Sequence, residues 1–349
     1  MSERWKESVA ALESGLNLTS ADAQWFMREI LEGRAEGSDL SAFLIALKNK
    51  GETSDEVGAF VTEMFNHSAP INITQRSVDT VGTGGDGANL FNVSTASSFV
   101  VAAAGGTVAK HGNRGVSSSS GSADLLEAAG VNLALTSEQV ARCINELGVG
   151  FMFAPSHHSA MKHAIGPRKS LGLRTIFNIL GPMTNPAGVR NQVIGVFAKA
   201  LVRPVAEVLQ RLNGGHVMVV HSQDGLDEIS LAAPTYVCEL KNGELSEYTL
   251  TPEQVGIESQ VLTGLEIDSA ASSLELIRDA LGKRETAAGK KAADMLAINA
   301  GAAIYVAGLA KDLKDGVAMA EDAICTGLAL EKMNELVSFS NYLAADSAE

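Results

Sequence analysis

Short β-forming runs alternate with helix-forming segments after Pro70, and this alternation constrains the fold more than any other feature of the sequence. An alternating order of this kind predicts right-handed βαβ crossovers and a mainly parallel sheet. The expected strands lie at 77–81, 107–109, 149–153, 192–197 and 216–221, and the expected helices lie near 96–104, 123–129 and 201–212. The sequence therefore predicts an α/β fold.

The first 66 residues follow a different pattern, because their apolar residues recur with helical spacing. One such face consists of Leu40, Phe43, Leu44 and Leu47. The segment 157–190 also has helical character, contains two Gly-Pro breaks and interrupts the sheet pattern. We expect it to pack with the N-terminal helices.

Two domains are therefore predicted. A small all-helical domain comprises 1–69 plus about 157–190. A larger α/β domain with a mainly parallel central sheet comprises 70–156 plus about 191–349.

The composition indicates a globular protein, since 46% of residues are hydrophobic and only 19% are charged. The net charge of −14 repels phosphate backbones, so no nucleic-acid partner is expected. No signal-peptide core is visible in MSERWKESVAALE and the three cysteines form no close pair, so we expect a cytoplasmic protein with reduced thiols. The weakly polar run from Met295 to Ala310 is too short to span a bilayer, so no membrane partner is expected.

The first glycine-rich loop, GTGGDG at 82–87, follows a predicted strand. Glycines in such a place let backbone N–H groups approach an anion. Ser94 and Thr95 are expected to cap the following helix and to face the same space, so the segment predicts a phosphate cradle. The alternative is a pair of tight turns. The spacing matches neither a Rossmann fingerprint nor a Walker loop.

A second loop of the same kind, KHGNRGV at 110–116, is followed by the serine run 117–120. Its two cations, an amide and small polar groups suit a second phosphate, although a polyserine linker is the alternative for 117–120. We expect the strands before the two loops to be neighbours in a parallel sheet. Both loops would then open at one sheet edge, where α/β folds bind ligands.

The third candidate site is SQDGLDE at 222–228, in a loop after a predicted strand. Asp227 and Glu228 could hold a hydrated Mg²⁺ that bridges substrate phosphates, whereas a solvated acidic turn is the alternative. His157, His158 and His163 do not share one helix face, so packing or hydrogen-bonding roles are expected for them. Two β-rich arms around Asn242-Gly243 predict an edge hairpin.

Four separated motifs carry a resemblance to a known family. They are GTGGDGANLFNVST (82–95), KHGNRGVSSSSGSADLLEAAG (110–130), RTIFNILGPMTNPA (174–187) and HSQDGLDE (221–228). From about Leu16 to Leu330 the chain resembles the anthranilate phosphoribosyltransferases, which are nucleoside-phosphorylase-like phosphoribosyltransferases. The resemblance implies a homodimer and a cleft between a helical and an α/β domain. It also implies transfer of the 5-phosphoribosyl group from phosphoribosyl diphosphate (PRPP) to anthranilate in tryptophan biosynthesis.

The resemblance further implies the site residues. Those for PRPP are Gly82, Gly85, Asp86, Asn92, Val93, Ser94, Thr95, Lys110, His111, Gly112, Asn113, Arg114, Gly115, Val116, Ser117, Ser118 and Ser122. Those for anthranilate are Gly82, Asn113 and Arg168, and those for Mg²⁺, with two ions per subunit, are Ser94, Asp227 and Glu228. No residue is assigned with certainty to chemical catalysis. Lys110, Asn113 and Arg168 are expected to contribute most, through positioning and electrostatics. Leu90 stands where the family often has Thr, so it is left out of the site.

Two alternatives remain open at this point. A pyrimidine nucleoside phosphorylase of the same superfamily should carry a KHSTGG-like phosphate loop, which the GTGGD segment lacks. A non-catalytic relative that binds nucleic acid should be basic and should have lost the Asp227-Glu228 pair. The net charge of −14 and the presence of that pair both speak against the second alternative.

Overall fold

The computed structural model describes residues 3–115 and 118–346. Their α-helices are α1 (Glu3–Glu13), α2 (Ser20–Leu31), α3 (Gly37–Lys50), α4 (Ser54–Asn66), α5 (Val93–Ala103), α6 (Ser122–Ala129), α7 (Ser137–Arg142), α8 (Ala154–His157), α9 (Lys162–Leu171), α10 (Phe177–Leu180), α11 (Val202–Arg211), α12 (Ala270–Leu281), α13 (Ala287–Ala307), α14 (Leu313–Cys325) and α15 (Leu328–Asp346). The strands are β1 (Val78–Gly82), β2 (Val108–Gly112), β3 (Val149–Phe153), β4 (Asn191–Gly195), β5 (Val217–Ser222), β6 (Thr235–Lys241) and β7 (Glu244–Leu250).

The seven strands form one sheet in the order β3-β2-β1-β4-β5-β6-β7. The pairs from β3 to β5 are parallel, and β6 and β7 add an antiparallel hairpin at one edge. Asn242 and Gly243 at the hairpin turn both have positive φ, as the Asn-Gly signal requires. The prediction of a mainly parallel central sheet in an α/β fold is therefore confirmed.

The order in which the strands are added to the sheet reverses at the boundary between β1 and β4. From β1 the connections run outward to β2 and then β3, whereas β4 returns to the other side of β1. Ligands of open α/β sheets bind at the carboxyl ends of the strands beside such a switch point. The register pairs Gly82 at the end of β1 with Gly195 at the end of β4, so two glycines lie side by side there.

The sheet is covered on both faces, because successive residues of a strand point to opposite sides. On β5, Met218 and Val220 belong to a core shared with α5 and α13, while Val217 and Val219 belong to a core shared with α1 to α4. Segment 157–190 contributes to the second core through Ala164, Ile176, Phe177, Ile179 and Leu180. The predicted packing of this segment with the N-terminal helices is confirmed.

The N-terminal helices bury the apolar face that the sequence predicts. Leu40, Phe43, Leu44 and Leu47 are all buried, and Phe26 stacks on Phe43 with ring centroids 4.7 Å apart. The apolar run that begins at Met295 forms part of α13, a buried helix that packs on α5 and α14. Within the described residues, no helix combines the length and apolarity that a membrane span requires.

Candidate active site

Gly82 and Gly195 form a slot at the switch point, and Asp227 fills it. A Cβ on Gly82 would lie 2.5 Å from Asp227 Oδ2, and a Cβ on Gly195 would lie 1.5 Å from the Asp227 carbonyl oxygen. Asp227 Oδ2 also accepts a hydrogen bond of 2.7 Å from the Gly84 N–H. Because Gly82 and Gly195 have no side chain, the acidic loop can lie directly against the first glycine loop. Gly195 was not predicted, although a glycine inside a strand is a signal for close backbone approach.

Asp227 in the slot and the adjacent Glu228 both lie in an environment that disfavours their charge. Asp227 is 9% exposed, and burial together with the nearby Asp86 raises its pKa to about 7. Burial and the neighbouring Asp227 raise the pKa of Glu228 well above its ordinary value. A divalent cation would offset this repulsion, and carboxylate oxygens are the ligands that Mg²⁺ prefers.

Ser94 lies beside this carboxylate pair. Its backbone N–H donates to Glu228, and the two residues line the same small cavity. Across residues 3–115 and 118–346, no group of three or more His, Cys, Asp or Glu side chains could hold a metal ion. An ion at the slot would therefore depend on a hydroxyl and on substrate oxygens in addition to the two carboxylates. The structure brings together Ser94, Asp227 and Glu228, the three residues expected to bind Mg²⁺.

Lys110 lies on β2, at the start of the second glycine-rich segment, and is only 2% exposed. Its Nζ donates to the Thr80 carbonyl oxygen at 2.6 Å and to Ser94 Oγ at 3.4 Å. Burial lowers the pKa of this ammonium group, while Asp79 and Glu228 act in the opposite direction. Lys110 is thus a buried cation at the centre of the site.

The helix after the first loop begins two to three residues earlier than the predicted caps at Ser94 and Thr95 allow. Asn92 is the N-cap residue of α5, so Ser94 and Thr95 lie inside the first helical turn, and their expected role as caps is wrong. The reason is that Val93 already has helical geometry. The Thr95 hydroxyl instead donates to Ser122 Oγ at 2.9 Å, which ties the first loop to the second.

Asn92 makes the main connection between the loops. Its Nδ2 donates to the Ser120 carbonyl oxygen at 3.1 Å, and its Oδ1 accepts from the Ser120 hydroxyl at 2.9 Å. The Ser273 hydroxyl donates to the same Oδ1 at 2.8 Å. A half-buried amide with several partners holds its neighbours in fixed positions. Ser120 belongs to the serine run 117–120 that was expected near the second phosphate but was not assigned a contact, and Ser273 was not expected in the site.

The second loop folds back on itself. Asp124 Oδ2 accepts from the N–H groups of Gly115 and Gly121, at 2.8 and 2.9 Å. A Cβ on Gly121 would lie 2.2 Å from the Gly115 nitrogen, so only glycine fits there. Gly112 ends β2, and the Ser118 hydroxyl donates to the Ser120 carbonyl oxygen. Val116 and Ser117, also expected to bind PRPP, lie outside the described residues.

Arg114 already has anionic partners. Its Nη1 donates to Asp124 Oδ1 at 3.0 Å and to Glu127 Oε2 at 2.7 Å. To reach a phosphate, the guanidinium would have to exchange these two carboxylates. Asn113 is exposed, and its Oδ1 accepts from the Arg114 N–H at 2.8 Å.

His111 is buried and neutral. Burial lowers the pKa of its imidazole to about 3, and the ring lies 5.2 Å from that of His158. His111 Nε2 has no hydrogen-bond partner among the described residues. His157 and His158 contact the backbone carbonyl oxygens of Ala69 and Thr184, in agreement with the expected hydrogen-bonding roles.

Arg168 lies on α9, apart from the sheet loops. Its guanidinium carbon lies 5.1 Å from the centroid of the Phe177 ring, and burial lowers its pKa. Among residues 3–115 and 118–346, no carboxylate pairs with it and no hydrogen bond joins it to Gly82 or Asn113. A partly buried arginine without an anionic partner is suited to bind a carboxylate ligand.

Two residues of segment 157–190 that were not predicted organise the site. Arg174 Nη2 donates to the Gly85 carbonyl oxygen, and its guanidinium lies 4.3 Å from the centroid of the Phe197 ring. Asn185 Nδ2 donates to Asp79 Oδ2 at 2.8 Å and to the Ala109 carbonyl oxygen at 2.9 Å. This segment therefore contacts the first glycine loop and also joins β1 to β2.

The fold and the site together define a glycosyltransferase. The family described as "Glycosyl transferase family, helical bundle domain" matches residues 6–68, and "Glycosyl transferase family, a/b domain" matches residues 74–330. The anthranilate phosphoribosyltransferase of Ectopseudomonas mendocina (strain ymp) is 62% identical over 96% of this chain and 97% of that protein. The chain belongs to the anthranilate phosphoribosyltransferase family.

Two solved structures extend the likeness to three dimensions. The crystal structure of anthranilate phosphoribosyltransferase from Thermus thermophilus is 40% identical, with a TM-score of 0.89 over 95% of this chain and 99% of that chain. The enzyme from Saccharomyces cerevisiae in complex with PRPP and Mg is 25% identical, with a TM-score of 0.88 over 98% and 99%. The expectation that the chain resembles this family is confirmed.

Proposed function

We propose that this chain transfers the 5-phosphoribosyl group from PRPP to the amine of anthranilate, giving N-(5-phosphoribosyl)anthranilate and diphosphate in tryptophan biosynthesis. One observation carries the proposal. Two connected loops rich in backbone N–H groups meet a buried pair of carboxylates at the switch point of the sheet. This combination suits a diphosphate ester that is bound together with a divalent cation.

The loops and the start of α5 would bind the phosphates of PRPP. Loop N–H groups, the positive end of the helix and the ammonium of Lys110 all favour negative charge. The proposed contacts come from Gly82, Gly85, Asp86, Asn92, Val93, Ser94, Thr95, Lys110, His111, Gly112, Asn113, Arg114, Gly115, Val116, Ser117, Ser118 and Ser122. The Asn92 and Thr95 connections would keep the two loops at a fixed separation.

Ser94, Asp227 and Glu228 would hold Mg²⁺, with two ions per subunit. When bound, Mg²⁺ neutralises charge on the diphosphate. The protein's part is to fix the ligands: the Gly84 N–H orients the Asp227 carboxylate, and the Ser94 N–H orients the Glu228 carboxylate.

Chemistry in this site would depend on electrostatics and positioning. As the bond between ribose C1 and diphosphate breaks, positive charge grows on the sugar and negative charge on the leaving oxygens. The N–H groups of the loops and Lys110 stabilise that leaving group. The aromatic amine of anthranilate is neutral at pH 7, so its attack requires alignment rather than a strong base.

Anthranilate would lie between two domains, with its carboxylate at Arg168 and its amine toward ribose C1. Gly82 and Asn113 complete the proposed acceptor contacts. The domains proposed are 1–69 plus about 157–190, and 70–156 plus about 191–349. The packing of α9 against α2 and α3 supports the assignment of segment 157–190 to the helical domain. The Arg174 contact with Gly85 supports a cleft in which the two domains meet.

A cytoplasmic homodimer built through the helical domain is also proposed. Several large apolar side chains of this domain are exposed, and they are Leu16, Ile45, Phe65, Ile165 and Leu173. Burial of such side chains against a second copy would stabilise a dimer. Light scattering at micromolar protein should give twice the 36.4 kDa mass of one chain. A single-chain mass at every concentration would refute the dimer.

The activity is tested by following the loss of anthranilate fluorescence with PRPP and Mg²⁺ present, and then with each omitted in turn. Loss is expected only in the complete mixture. Absence of loss in the complete mixture would refute the proposed reaction. In a parallel assay, uridine or thymidine with inorganic phosphate should give no free base, since release of base would favour a nucleoside phosphorylase.

A further inference from the structure

A second pocket lies at the amino end of the sheet, opposite the switch point. Its volume is about 550 Å³. It is lined where β4 and β5 begin, where β6 turns into β7, and where α13 ends. Its lining includes Arg76, Arg190, His216, Lys241 and Tyr305. No part of the proposed phosphoribosyl site contributes to this lining.

The pocket has a cationic lining in an acidic protein. Arg76, Arg190 and Lys241 are exposed, and no Asp or Glu lines the pocket with them. In the part of the chain that the structure describes, none of the three forms an ion pair with a carboxylate. The whole chain carries a net charge of −14, so three unpaired cations around one concavity create a local positive potential.

The nearest negative charges do not neutralise this potential. Glu239 lies behind the wall, where its Oε1 accepts from the Tyr305 hydroxyl at 2.8 Å and lies 2.7 Å from His216 Nε2. Its Oε2 accepts from the Tyr248 hydroxyl at 2.9 Å. The carboxyl end of α13 contributes roughly half a negative charge near Arg76. The Glu239 carboxylate is shared among several hydrogen-bond donors, and the helix end carries only a partial charge. Together they do not neutralise the three positive charges of the pocket.

The two guanidinium groups are held in place but keep donors free. Arg76 Nη2 donates to Asn191 Oδ1 at 3.1 Å, and Arg190 Nε donates to the Asn213 carbonyl oxygen at 2.7 Å. Each contact uses only one of the five N–H groups that an arginine offers. The Lys241 ammonium donates to the Tyr305 hydroxyl at 2.9 Å, which fixes it at the rim. Anchored arginines lose little freedom when they bind an anion.

We infer that this pocket binds a small phosphorylated molecule at a site separate from the reaction. Planar guanidinium forks match the oxygens of a phosphate, and the volume falls within the range of small-molecule sites. The cavity is too small to hold a folded partner. Arg76 and Arg190 would bind the phosphate, with Lys241 as a third positive charge.

The test is equilibrium dialysis with radiolabelled inorganic phosphate at physiological ionic strength. It uses the full-length protein and the triple variant Arg76→Gln, Arg190→Gln, Lys241→Gln. A matched control, Arg34→Gln, Arg142→Gln, Lys283→Gln, makes the same change in net charge on surfaces outside both pockets. Circular dichroism and thermal unfolding establish that all three proteins are folded. Because the proposed phosphoribosyl site also binds phosphate, sites per chain are counted rather than total binding.

The full-length protein and the control should bind one more phosphate per chain than the pocket variant, or bind it about tenfold more tightly. Turnover of anthranilate should be the same in all three proteins. Equal phosphate binding by the pocket variant and the control would overturn the inference. If the pocket binds citrate or a poly-glutamate peptide but not phosphate, the inference of a phosphorylated ligand is wrong. The ligand would then be a carboxylate or an acidic partner. The phosphate-binding result does not depend on the proposed reaction, since equilibrium dialysis is read without turnover.

Discussion

The two ends of the central sheet carry charge in opposite ways. At the carboxyl end, Lys110, Asp227 and Glu228 are close together and withdrawn from water, and their pKa values are shifted. At the amino end, Arg76 and Arg190 are exposed and contact only uncharged oxygens. Burial of opposing charges is costly and marks a place where chemistry is performed, whereas exposed cations without partners suit reversible binding.

The two ends of the sheet also differ in what a side chain added to a glycine would contact. At the carboxyl end, a Cβ on Gly195 would collide with the backbone of Asp227. At the amino end, a Cβ on Gly215 would lie 2.7 Å from the side-chain oxygen of Asn191, which accepts hydrogen bonds from Arg76 and from the His216 N–H, and 3.3 Å from the Arg190 carbonyl oxygen. The contact at Gly195 is shorter and involves the backbone of a proposed metal ligand, whereas the shortest contact at Gly215 involves a side chain remote from the proposed reaction. Substitutions at these two glycines should therefore affect activity unequally.

The largest expected effect is on the carboxylate pair. Asp227→Asn with Glu228→Gln should lower kcat by about 10³-fold or more and leave the fold intact, because several kcal/mol of charge stabilisation at the diphosphate would be lost. Steady-state kinetics with Mg²⁺ varied provide the measurement. The matched control is Glu239→Gln, a carboxylate near the amino end, which should keep normal turnover. Mg²⁺-dependent rates of normal size in the double variant would contradict the metal assignment.

The next largest effect should follow from Gly195→Ala. The added methyl group must displace the Asp227 backbone, and misplacement of about 1 Å can reduce activity about 10²-fold. A lower melting temperature should accompany the loss. Gly215→Ala is the counterpart at the amino end and should leave kcat within a few-fold of normal, since the Asn191 side chain that it would displace lies far from the proposed reaction. Equal losses in both variants would remove the distinction between the two ends.

A smaller effect is expected when the proposed acceptor contact is removed. Arg168→Ala loses a charge-assisted hydrogen bond of about 1.5 to 3 kcal/mol, so the KM for anthranilate should rise about 10- to 150-fold. The KM for PRPP should barely change, because its proposed contacts come from the sheet loops. Arg190→Ala, at the amino end, should change neither constant.

Lys110→Ala should show the opposite pattern. The KM for PRPP should rise more than the KM for anthranilate. Its contacts join Thr80 and Ser94 rather than the helical segment. Equal losses for both substrates in both variants would contradict the proposed division between the sheet loops and α9.

The smallest effect concerns stability and distinguishes two buried acids. Asp79 is 0% exposed, and burial raises its pKa from 3.8 to about 6. Its neutral form is favoured in the folded state, so its contribution to stability is greatest below pH 4 and is lost as pH rises to about 6. The loss is on the order of 2 kcal/mol. The free energy of unfolding of Asp79→Asn should therefore decline less between pH 4 and 6 than that of the unaltered protein. Urea unfolding at each pH provides the measurement.

Glu239 should behave in the opposite direction. Burial alone would raise its pKa, but hydrogen bonds from His216, Tyr305 and Tyr248 lower it overall. Its stabilisation is present above its unfolded pKa near 4.5 and is lost as pH falls through the lowered value. Glu239→Gln should thus be less stable than the unaltered protein at pH 6 to 7 and should approach it at lower pH. Parallel curves for both variants would contradict the two opposite shifts.

The sequence predicted those features whose signal is local. The strand alternation, the helical face around Phe43 and the Asn242-Gly243 turn each depend on neighbouring residues, and the structure confirms them. The two glycine loops and the acidic loop were found for the same reason. Gly195 carried a local signal as well, because a glycine inside a strand indicates close approach, but no pattern named Asp227 as its neighbour.

Contacts between distant segments could not be predicted in this way. Arg174 reaches Gly85 across 89 positions, and Ser273 reaches Asn92 across 181 positions. Such pairs are fixed by the packing of whole elements, and a single arginine or serine gives no periodic signal. The assignment of Ser94 and Thr95 as caps failed on a smaller scale, because a helix can begin two or three residues earlier without a visible change in composition.

The paired glycines at the ends of β1 and β4 also bear on how this family diverges. Gly82 and Gly195 are neighbours in register although they lie far apart along the chain, and what they share is the absence of a side chain beside Asp227. The sheet itself would tolerate larger residues at these strand ends, so only the carboxylate slot keeps them small. A descendant that retained the fold but abandoned the reaction would be free to replace both. We expect loss of this glycine pair to mark such descendants before their core packing shows any difference.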